Sequence, residues 1–294
     1  MPAAPHLTDL IPRPMPELPE VEVTRRTLAT EVEGGTVGAV ELRELRLRWP
    51  VPPELARRLT GRRIERIERR GKYLLWRFEH GTLLSHLGMS GSWRVYHDSA
   101  PPPGRHDHVD LVIEHRGGRR ILRLTDPRRF GALLWVAGGD EPLRRNPLLS
   151  HLGIEPFDPR FDGAFLRART HGRRTSIKQL LLAGGVVVGV GNIYASESLF
   201  EAGLDPRTAA WRLSAPRCGR LADAVRSVLG RAIDAGGSSL RNFAGADGRS
   251  GEFIGTARVY GRNGLVCLRC RAATIRRVVQ AGRATYFCPG CQRR

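Results

Sequence analysis

The stretch KYLLWRFEHGTLLSHLGMSGSWRVY, Lys72–Tyr96, is decisive for the fold of this 294-residue chain. It breaks into runs of four to eight residues rich in branched and aromatic side chains, separated by glycine, and each run reads as a β-strand. Further runs follow in HVDLVIEH, RRILRL and GALLWVA, so residues 36–136 form a series of short strands. Strands at this spacing predict a β-sandwich or a barrel. PPPG, Pro101–Gly104, is a loop.

Upstream, a helix is expected from Pro19. Proline suits a first helical turn, Glu20 and Glu22 complement its positive end, and Val21, Leu28 and Val32 share a face. Downstream the period changes. FDGAFLRART, SIKQLLLA, NIYASESLFEAG and RLADAVRSVLGRAIDAG carry helical spacing from about residue 146 to 235. GGSSLRNFAGADGRSGEFIGT, residues 236–256, then reads as a long glycine-rich loop, a length that usually signals function or disorder.

The last segment, 263–294, holds four of the five cysteines as two C-x-x-C pairs, Cys267/Cys270 and Cys288/Cys291. Four thiolates at this spacing suit one tetrahedral zinc, and with four cysteine ligands the site is closed and structural. Paired disulfides are the alternative, and nothing marks the chain as secreted. Between the pairs TIRRVVQAGRATYFC reads as strand, turn, strand, with Arg283 beside the tip. Cys218 sits in a helical stretch as a small apolar residue.

The net charge of +19 and isoelectric point near 11.2 favour a polyanionic partner. Lys72 and Lys178 are the only lysines among 48 basic residues. Arginine replaces lysine as a phosphate ligand but not as a group that gives up its proton, so both lysines are candidates for a role that needs an ammonium. The longest apolar run, Leu180–Gly191, is too short and glycine-rich to span a bilayer, and the N-terminus has no signal-peptide core. A monomeric cytoplasmic protein without a membrane segment is expected.

Three weaker signals have ordinary alternatives. GVGN, Gly189–Asn192, lacks the third glycine of a dinucleotide loop; it can expose N–H groups to phosphate or be a simple helix cap. HDH puts His106 and His108 on one face of a strand, facing DNA, in the core or at a metal. DPRRF pairs Arg128 and Arg129 with Phe130, as a phosphate contact with a base-stacking wedge or as a salt-bridged turn with a core phenylalanine.

In order along residues 15–294, MPELPEVE, RRGKYLL, HLGMSGS, HDHVDLV, TDPRRFGA, HLGIEPF, VVGVGNIYASESLF, VYGRNG and GRATYFC closely resemble the formamidopyrimidine-DNA glycosylases, bacterial base-excision repair enzymes. The resemblance implies a multidomain α+β fold. An N-terminal helix and β-sandwich (16–145) precede a helical domain with a helix-two-turn-helix element (146–262) and a C-terminal β-ribbon zinc finger (263–294), with 1–15 a non-native or disordered extension.

It also implies removal of oxidised purines such as 8-oxoguanine from double-stranded DNA, followed by AP lyase cleavage through β,δ-elimination. One structural zinc and no organic cofactor are expected. Pro16 matches the nucleophilic N-terminal proline, so Met15 is expected to be the initiator and residues 1–14 to abolish the reaction if retained. Glu17 matches the acid that assists base departure, Lys72 and Arg283 the groups that assist elimination, and Glu20 a carboxylate that holds the site together. Met89, Arg128 and Phe130 match the gap-filling set. His106, Arg174 and Asn192 match DNA-backbone contacts, and Lys178 a lysine near the lesion.

Two stretches depart from the family pattern, LLLAGG before VVGVGN and GEF at Gly251–Phe253, the second in the loop that covers the flipped base. The length of that loop and the PELPE motif favour the oxidised-purine branch over the related endonuclease VIII branch. A DNA-binding protein without catalysis and a metal hydrolase built on HDH are the competing readings.

Overall fold

The computed structural model describes residues 16–238, 246 and 251–294. The expected extension 1–15 and most of the glycine-rich loop fall outside the described residues. The chain forms two compact units, one built on residues 16–151 with 236–238, 246 and 251, the other on 152–235 with 252–294. The short segment of the first unit that follows residue 235 thus lies inside the range that the sequence assigns to the helical domain.

The first unit opens with helix α1 (Leu18–Val32) and packs it on two four-stranded antiparallel sheets. One sheet has the order β1 (Thr36–Leu42), β6 (Asp107–His115), β7 (Gly118–Thr125), β5 (Ser92–His97). The other has β2 (Arg66–Arg70), β3 (Tyr73–Phe78), β4 (Gly81–His86), β8 (Ala132–Ala137). This is the sandwich, and its core is where the alternating sequence predicts it. Val21, Leu28 and Val32 of α1 are fully buried with Leu74, Leu83, Leu111 and Leu122. Trp76 from one sheet and Trp93 from the other meet with ring centroids 5.4 Å apart, and the Trp93 indole N–H donates to Ser85 Oγ at 3.0 Å. The hydrogen bond removes the cost of burying that N–H.

Two details differ from the strand-only reading of 36–136. A short helix, α2 (Leu55–Leu59), interrupts it, burying Leu55 and Leu59 on one side while Arg57 and Arg58 stay exposed. A bulge between Asp107 and Val109 breaks the alternation, so His106 and His108 do not share a face. His108 is buried with Nε2 2.8 Å from the Asp126 carbonyl, whereas His106 stays half-exposed ahead of β6.

A short helix, α3 (Asp140–Arg145), follows β8 in the first unit. The second unit carries α4 (Gly163–Thr170), α5 (Ile177–Leu182), α6 (Asn192–Glu201) and the long α7 (Ala215–Asp234), followed by a hairpin of β9 (Arg276–Gln280) and β10 (Arg283–Phe287). Asp162 and Ser176 cap α4 and α5 by accepting from Phe165 N–H and Gln179 N–H. Cys218 lies fully buried on α7, as its helical setting implies. Among the described residues no helix is long and apolar enough to cross a membrane.

Candidate active site and DNA-binding surfaces

Strand register gathers the candidate residues of the first unit. Tyr73 pairs with His86, and His86 pairs with Ala132. The Gly71–Lys72 turn, the Leu87–Met89 segment and the Arg128–Phe130 turn therefore leave one sheet at the same end. In the other sheet Ser92 and Asp107 both pair with Thr125, so the segments carrying Met89, His106 and Asp126 also leave together.

Lys72 sits in a two-residue hairpin loop closed by Arg70 and Tyr73, with Gly71 at φ +59°. A positive φ at the first of two loop residues suits this tight connection and needs glycine. Helix α1 begins over the same end: Glu22 in its second turn accepts from Arg69 Nε at 2.9 Å and from Arg25. Burial would raise the Glu22 carboxyl, but the hydrogen bonds and charges of Arg25 and Arg69 outweigh it and hold it below the usual carboxylate range.

Pro16 and Glu17 lead into α1 and are buried. Glu17 and Glu20 form a reciprocal capping box in which the Glu17 N–H donates to Glu20 Oε2 at 2.8 Å. The other oxygen, Glu20 Oε1, accepts both the N–H and the hydroxyl of Ser238 at 2.6 Å each. Glu20 thus spans the head of α1 and a segment more than two hundred residues downstream.

A second carboxylate organises the Met89 and Phe130 segments. Asp126 is fully buried and accepts from Ser90 Oγ at 2.7 Å, Gly131 N–H at 2.8 Å and Arg128 N–H at 3.3 Å. Arg129 then takes φ +56°, a left-handed conformation rare for arginine, and its side chain pairs with Glu44 at 2.9 Å. Arg128 and Phe130 flank this residue; both are exposed, and the Arg128 guanidinium lies 4.9 Å from the Phe130 ring centre. Of the two readings of DPRRF, a core phenylalanine is excluded, since Phe130 is 41% exposed. Gly88 packs so closely that a Cβ there would stand 2.5 Å from the Phe130 carbonyl oxygen, which holds the two segments together. His86 Nδ1 accepts from Gly88 N–H at 3.0 Å. Its pKa is lowered to about 4, first by burial and then by the charges of Lys72 and Arg48, so the ring is neutral at physiological pH.

In the second unit Lys178 is fully buried. Its ammonium donates to Asn192 Oδ1 at 2.7 Å, Thr285 Oγ1 at 2.7 Å and the Ala284 carbonyl at 3.1 Å, and Asn192 Nδ2 donates to the same carbonyl. The simple-cap reading of GVGN is replaced: Gly191 is the cap residue, and the Asn192 side chain turns to Lys178 and β10 instead. One buried lysine therefore ties α5 and α6 to the strand that begins with Arg283. Arg283 itself is exposed beside the Ala281–Gly282 turn, whose residues both have positive φ, the geometry of a tight hairpin loop. Arg174 is exposed ahead of α5.

The ligand atoms of Cys267, Cys270, Cys288 and Cys291 all lie within 4.8 Å of one another. The Cys267–Cys291 and Cys270–Cys288 sulfurs are 3.8 and 3.7 Å apart, close to the ~3.8 Å edge of a tetrahedron with Zn–S bonds of about 2.3 Å. Backbone N–H groups of Ala272 and Ala273 lower Cys270 to about 6, while burial and the neighbouring thiols push Cys291 up to about 12. Four such sulfurs call for a cation, and zinc fits them. Among the described residues no other group of three or more metal-ligating side chains comes together, and HDH gathers none.

Glu197 was not singled out from sequence. It is buried on α6 and accepts backbone N–H groups of Arg258, Val259 and Tyr260 at 2.8–2.9 Å, which fastens the segment leading to the ribbon. Asp126 and Ser238 were missed as well. Only Asp126 had a local signal, the Asp-Pro turn start.

Residues 15–133 match the model of the formamidopyrimidine-DNA glycosylase N-terminal domain, 152–244 the H2TH domain of the same enzymes, and 264–294 a zinc finger found in FPG and IleRS. A formamidopyrimidine-DNA glycosylase of Bordetella pertussis is 57% identical over 281 residues, covering 95% of this chain and all of the relative. The chain belongs to the formamidopyrimidine-DNA glycosylase family. One from Burkholderia pseudomallei is 54% identical with the same coverage. The crystal structure of the MutM (Fpg) protein of Thermus thermophilus matches with a TM-score of 0.82 at 40% identity, covering 94% of this chain and 98% of that one. A complex of Lactococcus lactis Fpg with DNA containing an abasic site matches at 0.84 and 33% identity, covering 95% and 100%. Fold class and family agree with the sequence reading, and the protein is a DNA glycosylase of repair, in a family of bifunctional glycosylase/lyases. The zinc-finger match and the four gathered cysteines give it one structural zinc site.

Proposed function

We propose that the chain excises 8-oxoguanine and formamidopyrimidines from duplex DNA and then cuts the strand, with Pro16 as nucleophile. The observation that carries this reading is the gathering of Lys72, Met89 and Arg128–Phe130 at the end of the sandwich where α1 begins. Lactococcus lactis Fpg has been crystallised with DNA containing Fapy-dG or an abasic site, and that likeness supports the substrate class.

The chemistry requires Pro16 to carry a free secondary amine. Its lone pair attacks C1′ of an extruded nucleotide, the glycosidic bond pair leaves with the base, and Glu17 supplies the proton that assists departure. Opening of the sugar ring gives an iminium. Loss of a C2′ proton then expels the 3′-phosphate, and a second elimination expels the 5′-phosphate. Lys72 and Arg283 hold the phosphates that leave. Phe130 with Arg128 and Met89 fills the gap left by the flipped nucleotide, whose extrusion costs a few kcal/mol. His106, Arg174 and Asn192 contact the DNA backbone, and Lys178 orients Asn192 and β10. An amide nitrogen has no available lone pair, so the active chain begins at Pro16. The family match from residue 15 supports that start.

Borohydride reduction of the protein on duplex DNA containing 8-oxoguanine tests this. A chain beginning at Pro16 is expected to trap covalently and a chain retaining residues 1–15 to bind without trapping. Absence of trapping by the Pro16 chain would leave the non-catalytic DNA-binding reading in its place.

A further inference from the structure

Trp211 lies in a short 3-10 turn of the second unit and is 46% exposed. A large aromatic ring left in water is unusual when the surrounding chain could cover it. Its backbone N–H donates to the Arg173 carbonyl at 3.1 Å, Ala210 N–H donates to the Thr175 carbonyl at 2.9 Å, and Ser176 bridges to Ala209. Trp211 is therefore paired directly alongside Arg173–Arg174. The Arg212 guanidinium lies 5.3 Å from the Trp211 ring centre, and Arg167 Nη1 donates to the Trp211 carbonyl at 3.4 Å.

The ion pairs on neighbouring elements lie elsewhere, at Asp158–Arg160, Asp205–Arg207, Asp223–Arg226 and Glu201–Arg231. Among the described residues Arg167, Arg173, Arg174 and Arg212 have no carboxylate partner, and all but the half-buried Arg167 are exposed. Four uncompensated guanidinium groups around one exposed indole form a surface for a polyanion that also offers flat apolar area, namely the sugar-phosphate backbone of duplex DNA.

We infer that Trp211, with Arg173 and Arg212, is a further DNA-backbone contact that prolongs the Arg174 surface along the flank of the bound duplex. The inference rests on the reading that this unit binds DNA. Arg173 and Arg212 take phosphate oxygens, and the indole lies on the adjoining sugar. This contact reads no base, so it strengthens binding to lesion-free and damaged duplex alike.

The test titrates the full chain with a long lesion-free duplex over a range of salt, by fluorescence anisotropy. Arg173→Gln combined with Arg212→Gln is expected to lower the slope of log K against log salt by about two and to weaken binding roughly tenfold at low salt. Arg173→Lys with Arg212→Lys keeps the charge and is expected to restore the slope, which a mere packing defect would not allow. Trp211→Phe is expected to abolish the change in indole emission on DNA addition that arises at this site. An unchanged slope and affinity in the Gln variant overturn the inference. So does a loss of binding confined to phosphatidylglycerol vesicles with DNA binding intact. Failure of the glycosylase reading would appear separately, as absence of borohydride trapping with the salt slopes unaffected.

Discussion

Glu20 and Ser238 are joined by two hydrogen bonds of 2.6 Å to a single carboxylate oxygen, while the other oxygen of Glu20 caps the Glu17 N–H. Both side chains are buried. Removing one charge-assisted hydrogen bond costs about 1–3 kcal/mol, and orphaning several buried donors costs more. Ser238→Ala is expected to lower stability by about 1–2 kcal/mol and Glu20→Ala by roughly 3 kcal/mol. Urea midpoints at constant m-value measure both. In the trapping assay Glu20→Ala is expected to lose more activity than its stability loss explains, because Glu17 and Pro16 lose their anchor.

Asp126 is the corresponding tie for the Met89 and Arg128–Phe130 segments. Asp126→Ala leaves the Ser90 hydroxyl and the Gly131 and Arg128 N–H groups without their acceptor in a buried site. A stability loss of roughly 2–4 kcal/mol is expected. Ser90→Ala alone is expected to cost about 1 kcal/mol, and the double variant less than the sum of the two, because both delete one interaction. A double-mutant cycle by denaturant unfolding checks the coupling.

Much of this was legible in the chain. The alternation in Lys72–Tyr96 predicts the strands because one face of each sheet is core, and the spacing of cysteines predicts the ribbon because tetrahedral zinc tolerates few geometries. The turn at Ala281–Gly282 was legible because positive φ narrows the residue choice. The bulge at Asp107 was not, since it follows from how β6 lies against β7. Nor was the role of Ser238 or Glu197. Each is a polar residue whose partners lie more than sixty positions away, and local sequence carries no trace of a contact made only by the tertiary fold. Lys178 stood out only because lysine is so scarce here; what it touches could not be read.

Lys178 is a buried cation with three oxygen partners, so its replacement has a defined cost. Lys178→Met removes the ammonium but leaves Asn192 Oδ1 and Thr285 Oγ1 without their donor. A loss of about 2–4 kcal/mol is expected. Because the ammonium ties Asn192 to β10, the variant is also expected to weaken DNA binding while the zinc content stays at one per chain, as read by atomic absorption.

Zinc removal should act through the same strand. Cys270→Ser, or prolonged chelation, is expected to release the hairpin that carries Arg283, since structural zinc supplies folding free energy outright. Hydrogen exchange should rise across residues 267–291 and remain low in α1 and β3. Strand cleavage should fall more than lesion binding by the first unit.

His86 makes the stability of the first unit depend on pH. Its folded pKa of about 4 lies below the ordinary value of 6.5, because burial and the charges of Lys72 and Arg48 oppose protonation. Between these values the unfolded chain binds the proton and the folded chain does not, so the stability is fully present above pH 6.5 and is lost as pH falls towards 4. The span corresponds to about 3 kcal/mol. Glu22 and Asp110 are held below their usual ranges, so their contributions are lost at lower pH and do not mimic this window. His86→Asn can still accept from Gly88 N–H but does not titrate, and it is expected to flatten the dependence of urea stability between pH 6.5 and 4.5. A variant as pH-sensitive as the wild type there would show that the drop comes from other groups. The same substitution is expected to leave Met89 in place, because its acceptor role survives, so trapping at pH 7.5 should stay within about threefold of wild type.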